Sequence, residues 1–303
     1  MDIRKFFQNK AVMSAGAIFC CALWGISTPI VKMGYAYVNA THVPSLLLWA
    51  GIQFILAGVI TAALYSIVAK KPALPKRKSI KGIALISLLQ TVLQYSLLYI
   101  GLLNTTSVKG SILKSTDVFF IMLIASLIFR QEKLTVKKIL SCIVAFAGII
   151  IMNLDGLSLN FNLLGDGLVV LGTAFYSLSV VITRLVAQDE DPIVLCSYQM
   201  ALGGIGMLLI GALFGGKLDL LAMLPIILCL SLIYAVSYSL WTVLIKFNPA
   251  SKVAIHSFMI PVFGVIFSAI MLQEQGGVNT LNLILALALV CVGILIWGKS
   301  SKD

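Results

Sequence analysis

Charge is what this sequence has least of. Asp, Glu, Lys and Arg make up 11% of its 303 residues, against about 25% in an ordinary soluble domain. With 60% of residues hydrophobic, a soluble fold could not hide its apolar surface, whereas a lipid-embedded one need not. Histidine is nearly absent, with only His42 and His256. The six cysteines, Cys20, Cys21, Cys142, Cys196, Cys229 and Cys291, include no C-x-x-C pair, and all lie inside apolar runs. A disulfide framework is therefore not expected, and they read as small buried hydrophobes. No Ser-His-Asp constellation, metal-ligand spacing or phosphate loop is present, so neither a catalytic role nor a metal or cofactor is expected. Acid is scarce as well, at 11 residues against 22 basic ones. In a soluble protein that excess would point to nucleic acid. Here the basic residues sit between apolar runs and read as membrane topology, so no nucleic-acid partner is expected.

What the sequence has is apolar length. Ten runs follow one another, roughly 12–35, 44–68, 81–103, 107–128, 137–153, 165–187, 193–215, 221–246, 252–272 and 279–298. Most reach the ~20 residues that a bilayer-spanning helix needs. The first is too long for a signal h-region and reads as the first span. Pro72 and Pro75 mark one loop, Asp189 to Pro192 another, and Gly215-Gly216 and Gly276-Gly277 two more. With the N-terminus placed inside, basic residues fall on that side in every second loop. They are Arg4, Lys5, Lys10, Lys70, Lys71, Lys76, Arg77, Lys78, Lys81, Arg130, Lys133, Lys137, Lys138, Arg184, Lys246, Lys252, Lys299 and Lys302. Only Lys32, Lys109, Lys114 and Lys217 fall elsewhere. This predicts an all-α integral membrane protein of ten spans with both termini cytoplasmic.

The two halves resemble each other. Gln131-Glu132 at the end of the fourth span returns as Gln273-Glu274 at the end of the ninth, 142 residues on (132 to 274). In the first and sixth spans Trp24 pairs with Tyr176, Ser27 with Ser179 and Lys32 with Arg184. Gln53 and Gln199 pair in the second and seventh. Five spans per half is an odd number, so the second half enters the membrane inverted. The expected organisation is a first five-helix repeat over 1–155 and a second over 156–303. Inverted repeats frame many secondary transporters, with the site near the midplane between the halves.

These motifs resemble the drug/metabolite transporter superfamily, and within it the EamA-type ten-helix transporters. The resemblance rests on Leu23-Trp24-Gly25 with Lys32 beyond it, on the duplicated Gln-Glu helix ends, and on Pro261-Val262-Phe263 ahead of Glu274. It covers nearly the whole chain. It implies gradient-linked transport of a small molecule across the plasma membrane, often outward, with a proton or another ion as coupling partner. Departures from the family pattern are visible. Phe119 stands where the fourth-span proline is expected, Gln53 and Gln199 where many relatives carry arginine, and the fourth span carries Lys109, Lys114 and Asp117.

Ionisable groups inside a span are costly and tend to face the bundle interior. Lys114 and Asp117, spaced i,i+3, share one helix face. They read equally as an internal salt bridge or as a site taking a substrate carboxylate and an amine or proton. His256 occupies the position of Lys114 in the second repeat. It is a candidate proton carrier or a helix-end histidine bonded to a carbonyl. Trp24, Gln94, Tyr99, Tyr176 and Trp241 are candidates for an aromatic cavity wall with a few polar groups. Lipid-facing packing is the alternative, preferred for Trp49 and Trp297. Lys32 and Arg184 read as snorkelling or paired with a loop acid, and Asp166 as a first-turn helix acid. The leading expectation is a carrier, monomeric or homodimeric, exporting an amino-acid-like metabolite. Drug or nucleotide-sugar transport is the alternative, and a polytopic membrane enzyme a more distant one.

Overall fold

The computed structural model describes residues 2–154, 160–272 and 279–300. The repeat junction at 155/156, the second Gln273-Glu274 pair, Gly276-Gly277 and Lys302 lie outside the described residues. Nine helices among the described residues are long and apolar enough to cross a membrane. They are Lys10–Gly34, Val43–Ala69, Arg77–Leu103, Ser107–Ile128, Leu163–Asp189, Pro192–Leu213, Leu220–Phe247, Ala250–Leu272 and the last, Thr280–Ser300. The fifth of the ten, Val136–Met152, has 17 residues, about 25 Å at 1.5 Å per residue. A short helix, Ile3–Gln8, precedes them. The outward faces carry large apolar side chains such as Leu64, Leu209, Leu221 and Ile284, all exposed. That is what a surface solvated by acyl chains needs.

The pairing of spans shows the inverted repeat. The second span packs against the seventh, and the fifth against the tenth, more extensively than any other pairs. Each pair is its own counterpart, so both crossings lie on the pseudo-two-fold axis. Glycines show the reciprocity. A Cβ on Gly204 would sit 2.8 Å from the Gly51 carbonyl oxygen, and one on Gly58 would sit 2.5 Å from that of Ser197. Gly58 and Gly204 are counterparts, as are Gly51 and Ser197. At the other crossing, Gly148 meets the Ala286 carbonyl at 2.8 Å and Gly293 meets that of Ser141 at 2.7 Å. Even local bonds repeat: the Ser27 hydroxyl donates to the Trp24 carbonyl at 2.6 Å, and that of Ser179 to Tyr176 at 2.6 Å. Small residues at these crossings follow from the membrane. Lipid offers no hydrophobic drive between helices, so close backbone contact supplies the attraction.

Both described ends of the chain sit at one end of the bundle. The Asn248 amide donates to the Phe7 carbonyl there at 3.0 Å, and the Lys138 ammonium lies 5.4 Å from the Trp297 ring centre. The acidic turn before the seventh span holds the basic loop at the same end. The Lys76 backbone N–H donates to Glu190 at 2.7 Å, and Lys78 pairs with Asp189 at 3.0 Å. Burial pushes the Glu190 carboxyl up. The N–H groups of Lys76 and Asp191, with Ser79 and Lys76 nearby, outweigh it and hold the carboxyl below its ordinary range.

Three sequence expectations change. Trp49 and Trp297 are buried rather than interfacial, at 3% and 2% exposure. The ring of Trp49 packs over Gly34, whose missing Cβ makes the room. Of the cysteines, Cys229 and Cys291 are exposed on outward faces while the other four are buried. Arg184 makes no ion pair among the described residues; its guanidinium donates to Gln131 at 2.9 Å.

Candidate functional site

The fourth span is broken at its middle although it lacks the proline. It runs as a helix over Ser107–Lys114, turns at Ser115 and Thr116, and resumes at Asp117. The break has a local cause. The Thr116 hydroxyl donates to the Leu113 carbonyl at 2.6 Å and that of Ser115 to Ser111 at 2.9 Å. These bonds add to the backbone N–H groups of Ser115 and Thr116, which reach the same two carbonyls at 3.1 and 3.2 Å, and such back-bonding bends helices. The ninth span breaks at the corresponding place, with a 3-10 turn over Ile255–Phe258 just ahead of Pro261, which has no N–H to continue the helix. The two breaks meet: the Ser257 hydroxyl lies 3.4 Å from each carboxylate oxygen of Asp117.

Lys114 and Asp117 therefore sit on either side of a turn rather than on one regular helix face. No described residue is within ion-pair or hydrogen-bond distance of the Lys114 ammonium, so the internal salt bridge is not made. Lys114 is exposed. Asp117 is buried at 8% exposure.

Aromatic side chains surround this point. Trp24 meets Trp241 edge-on at 4.9 Å and Tyr238 at 5.3 Å. The hydroxyls of Tyr95 and Tyr238, from the counterpart third and eighth spans, lie 3.1 Å apart. Tyr176 is half-buried within electrostatic reach of both Asp117 and Tyr95. The indole N–H groups of Trp24 and Trp241, whose rings meet, lack a hydrogen-bond partner, as does Oε1 of Gln94 on the third span. An unmet buried polar group costs about 1–3 kcal/mol, which makes these three atoms candidate ligand contacts.

Two candidates stand apart. Tyr99 lies further along the third span, 5.9 Å from Tyr95 by ring centre. His256 is buried at 2% exposure, with Nδ1 3.1 Å from the Val253 carbonyl and Nε2 3.1 Å from the Ser14 hydroxyl. Both ring nitrogens are engaged, and the ring links the ninth span to the first. Lys109 is committed elsewhere, pairing with Asp166 at 2.5 Å.

The halves correspond in sequence but not in packing. In the first half of the ninth span Ala250, Ser251, Val253, Ala254, Ile255 and His256 are all buried, packed on the second half of the fourth. Of their counterparts in the fourth span only Ile112 is buried, and Lys114 is exposed. No comparable packing joins Ser107–Lys114 to Met259–Leu272. The bundle is thus closed at the end that carries the termini and parted at the other.

The Gln-Glu motif fastens the closed end. Glu132 accepts from the Ser251 backbone N–H at 3.2 Å and from the Ser251 hydroxyl, and pairs with Lys138 at 3.1 Å. Gln131 accepts from Arg184 of the sixth span. The motif was legible in the sequence, but its partners were not, since Ser251 is 119 residues away. Glu132→Ala should loosen this end. In an Ala254→Cys background, the rate of labelling by an impermeant maleimide from the side of the termini is expected to rise at least about tenfold, because a buried charge-assisted contact is worth roughly 1.5–3 kcal/mol. Equal labelling rates would mean that the contact does not hold the end shut.

A ten-helix bundle with an inverted repeat, closed at one end over a polar and aromatic centre, is the architecture of a membrane carrier. The chain belongs to the EamA-like transporter family, of the drug/metabolite transporter superfamily, whose model matches residues 12–154 and again 163–298. It is similar to the transporter YvbV of Bacillus subtilis, at 28% identity over 94% of this chain and 90% of that protein. A Methanothermobacter thermautotrophicus transporter is 31% identical over 66% of this chain, a match spanning only 60% of that relative's length. A chloroplastic WAT1-related protein of Arabidopsis thaliana is 25% identical over 64% of this chain and 49% of that protein. One solved crystal structure aligns over 95% of this chain and 99% of its own, with a TM-score of 0.76 at 12% identity, which shows a shared fold.

Proposed function

We propose that this membrane transporter is a secondary active exporter of a small amino-acid-like metabolite. It works across the plasma membrane with both termini in the cytoplasm, coupled to an ion gradient. The observation that carries the reading is Lys114, an exposed cation within the fourth span with no partner among the described residues. Its ammonium and the free indole N–H groups of Trp24 and Trp241 are donors, which suit a carboxylate. Asp117 and the free Oε1 of Gln94 are acceptors, which suit an amine. Tyr176 extends the aromatic wall, with Tyr99 further along the third span. Asp117, held beside Ser257, serves as the site of the coupling proton, and His256 as a second titratable group of the ninth span.

Alternating access follows from unequal packing of related halves. Each repeat, 1–155 and 156–303, has sequence for either arrangement, so exchanging their conformations closes the open end and opens the closed one. The glycine crossings of the second and seventh spans let backbones stay in contact during this exchange. Outward direction and the membrane assignment rest on the family resemblance and on the basic loops.

Reconstituted in liposomes and offered a panel of labelled amino acids, organic acids and amines, the protein is expected to give saturable flux. Zwitterions should be preferred over simple amines, and an imposed pH gradient should stimulate the flux. Linear, non-saturating flux, or flux of amines alone, would overturn the reading.

A further inference from the structure

A small cavity adjoins the central aromatic cluster, toward the end opposite the termini: its Tyr234 ring lies 6.0 Å from that of Tyr238 and its Tyr99 ring 5.9 Å from that of Tyr95. It has a volume of about 20 Å³ and is lined by Tyr35, Trp49, Gln53, Tyr99 and Tyr234, with Val31 and Leu46. Four aromatic rings from four different spans or their ends thus face one small space, and no charged side chain lines it. Gln53 is buried at 3% exposure, yet its Oε1 has no hydrogen-bond partner. Gln199, the counterpart of Gln53, is equally buried at 3%, and its amide nitrogen donates to the Thr91 hydroxyl at 2.7 Å. Trp49 adds an indole N–H, also buried and unpartnered.

We propose that this cavity is a second ligand station, distinct from the Lys114 centre, that takes the ammonium group of a small organic amine. The chemistry selects the class. Ring faces carry negative quadrupole potential and attract cations within about 6 Å of a centroid. Gln53 Oε1 accepts one ammonium hydrogen, and the hydroxyls of Tyr35, Tyr99 and Tyr234 can accept others. A carboxylate finds no cation here and only the Trp49 N–H as an unpartnered donor, so the ring faces favour an ammonium over it. Size selects further. A cavity of about 20 Å³ exceeds the roughly 10–15 Å³ that one water requires, so it admits a primary ammonium head and not a quaternary one. Tyr35, 40% exposed, stands at the rim, so a ligand enters without unpacking the core. The station does not depend on the central reading. An amine seated here makes no use of Lys114.

Saturation-transfer NMR on the purified full-length protein, with methylammonium as probe, tests this directly. The expected result is saturable transfer to the probe's methyl group with half-saturation in the millimolar range, as befits a ligand of two heavy atoms. Tetramethylammonium and acetate should give no competing signal. Gln53→Leu should reduce the transfer at least fivefold, and Gln53→Glu, which puts a full charge at the acceptor, should tighten binding at least fivefold. Asp117→Asn should leave it unchanged, which separates this site from the central one, where Asp117 takes the amine. Absence of saturable transfer with the native chain would overturn the proposal and leave water as the occupant. So would equal binding by Gln53→Leu and Gln53→Glu. Loss of transfer in Asp117→Asn would overturn the proposal and assign the amine to the centre instead.

Discussion

Replacing Lys114 with alanine is expected to lower transport at subsaturating substrate by about 100-fold while leaving thermal stability unchanged or slightly raised. The two halves of that expectation come from one observation: the ammonium has no partner among the described residues. A residue that makes no internal ion pair loses none on removal, and a cation within a membrane span is a cost to the fold. A charge-assisted contact to substrate in a low-dielectric site is worth roughly 3 kcal/mol, and about 1.4 kcal/mol is a factor of ten. Paired flux and melting measurements on Lys114→Ala, with Lys114→Met as the isosteric control, check it. A fall in stability in both variants, rescued by adding Asp117→Asn, would reveal a structural pair instead.

The second large effect falls on the crossing of the second and seventh spans. Gly204→Ala places a methyl group 2.7 Å from the Ile55 backbone nitrogen and 2.8 Å from the Gly51 oxygen. Backbone cannot swing aside as a side chain can, so the helices must part. Their contact is the most extensive in the molecule, and the cost is expected at about 2–3 kcal/mol, the upper range for overpacking. For a chain of this size that is a fall of roughly 4–10 °C in melting temperature. Gly206→Ala, two residues on, meets only one Val92 methyl at 2.9 Å, and is expected to shift melting by less than about 2–3 °C. Thermal shift in detergent compares the pair. Equal shifts would mean that the crossing is loose enough to absorb a methyl group.

Much of the architecture was readable from the chain because lipid enforces it. Apolar runs of bilayer length and alternating basic loops follow from the cost of exposing backbone and charge to hydrocarbon. The paired motifs Trp24 with Tyr176 and Ser27 with Ser179 announced the repeat, and the matched serine–carbonyl bonds are its structural trace. Lys114 and Asp117 announced themselves by being expensive where they stand.

What the sequence by itself determined was therefore the number of spans, the repeat and a short list of costly residues. Tertiary structure alone decided what those residues touch. It separates Lys114 from Asp117 by a serine–threonine turn, brings Ser257 to Asp117, engages both nitrogens of His256, and buries Trp49 over Gly34. It also decided that one end is closed, with Glu132 on Ser251, while the related end stands open. The physical reason is one of range. Bilayer thickness and charge cost act on each segment separately and leave a local signature. Partner choice inside a bundle of similar apolar helices depends on side chains more than a hundred residues apart, and nothing local in the sequence records it.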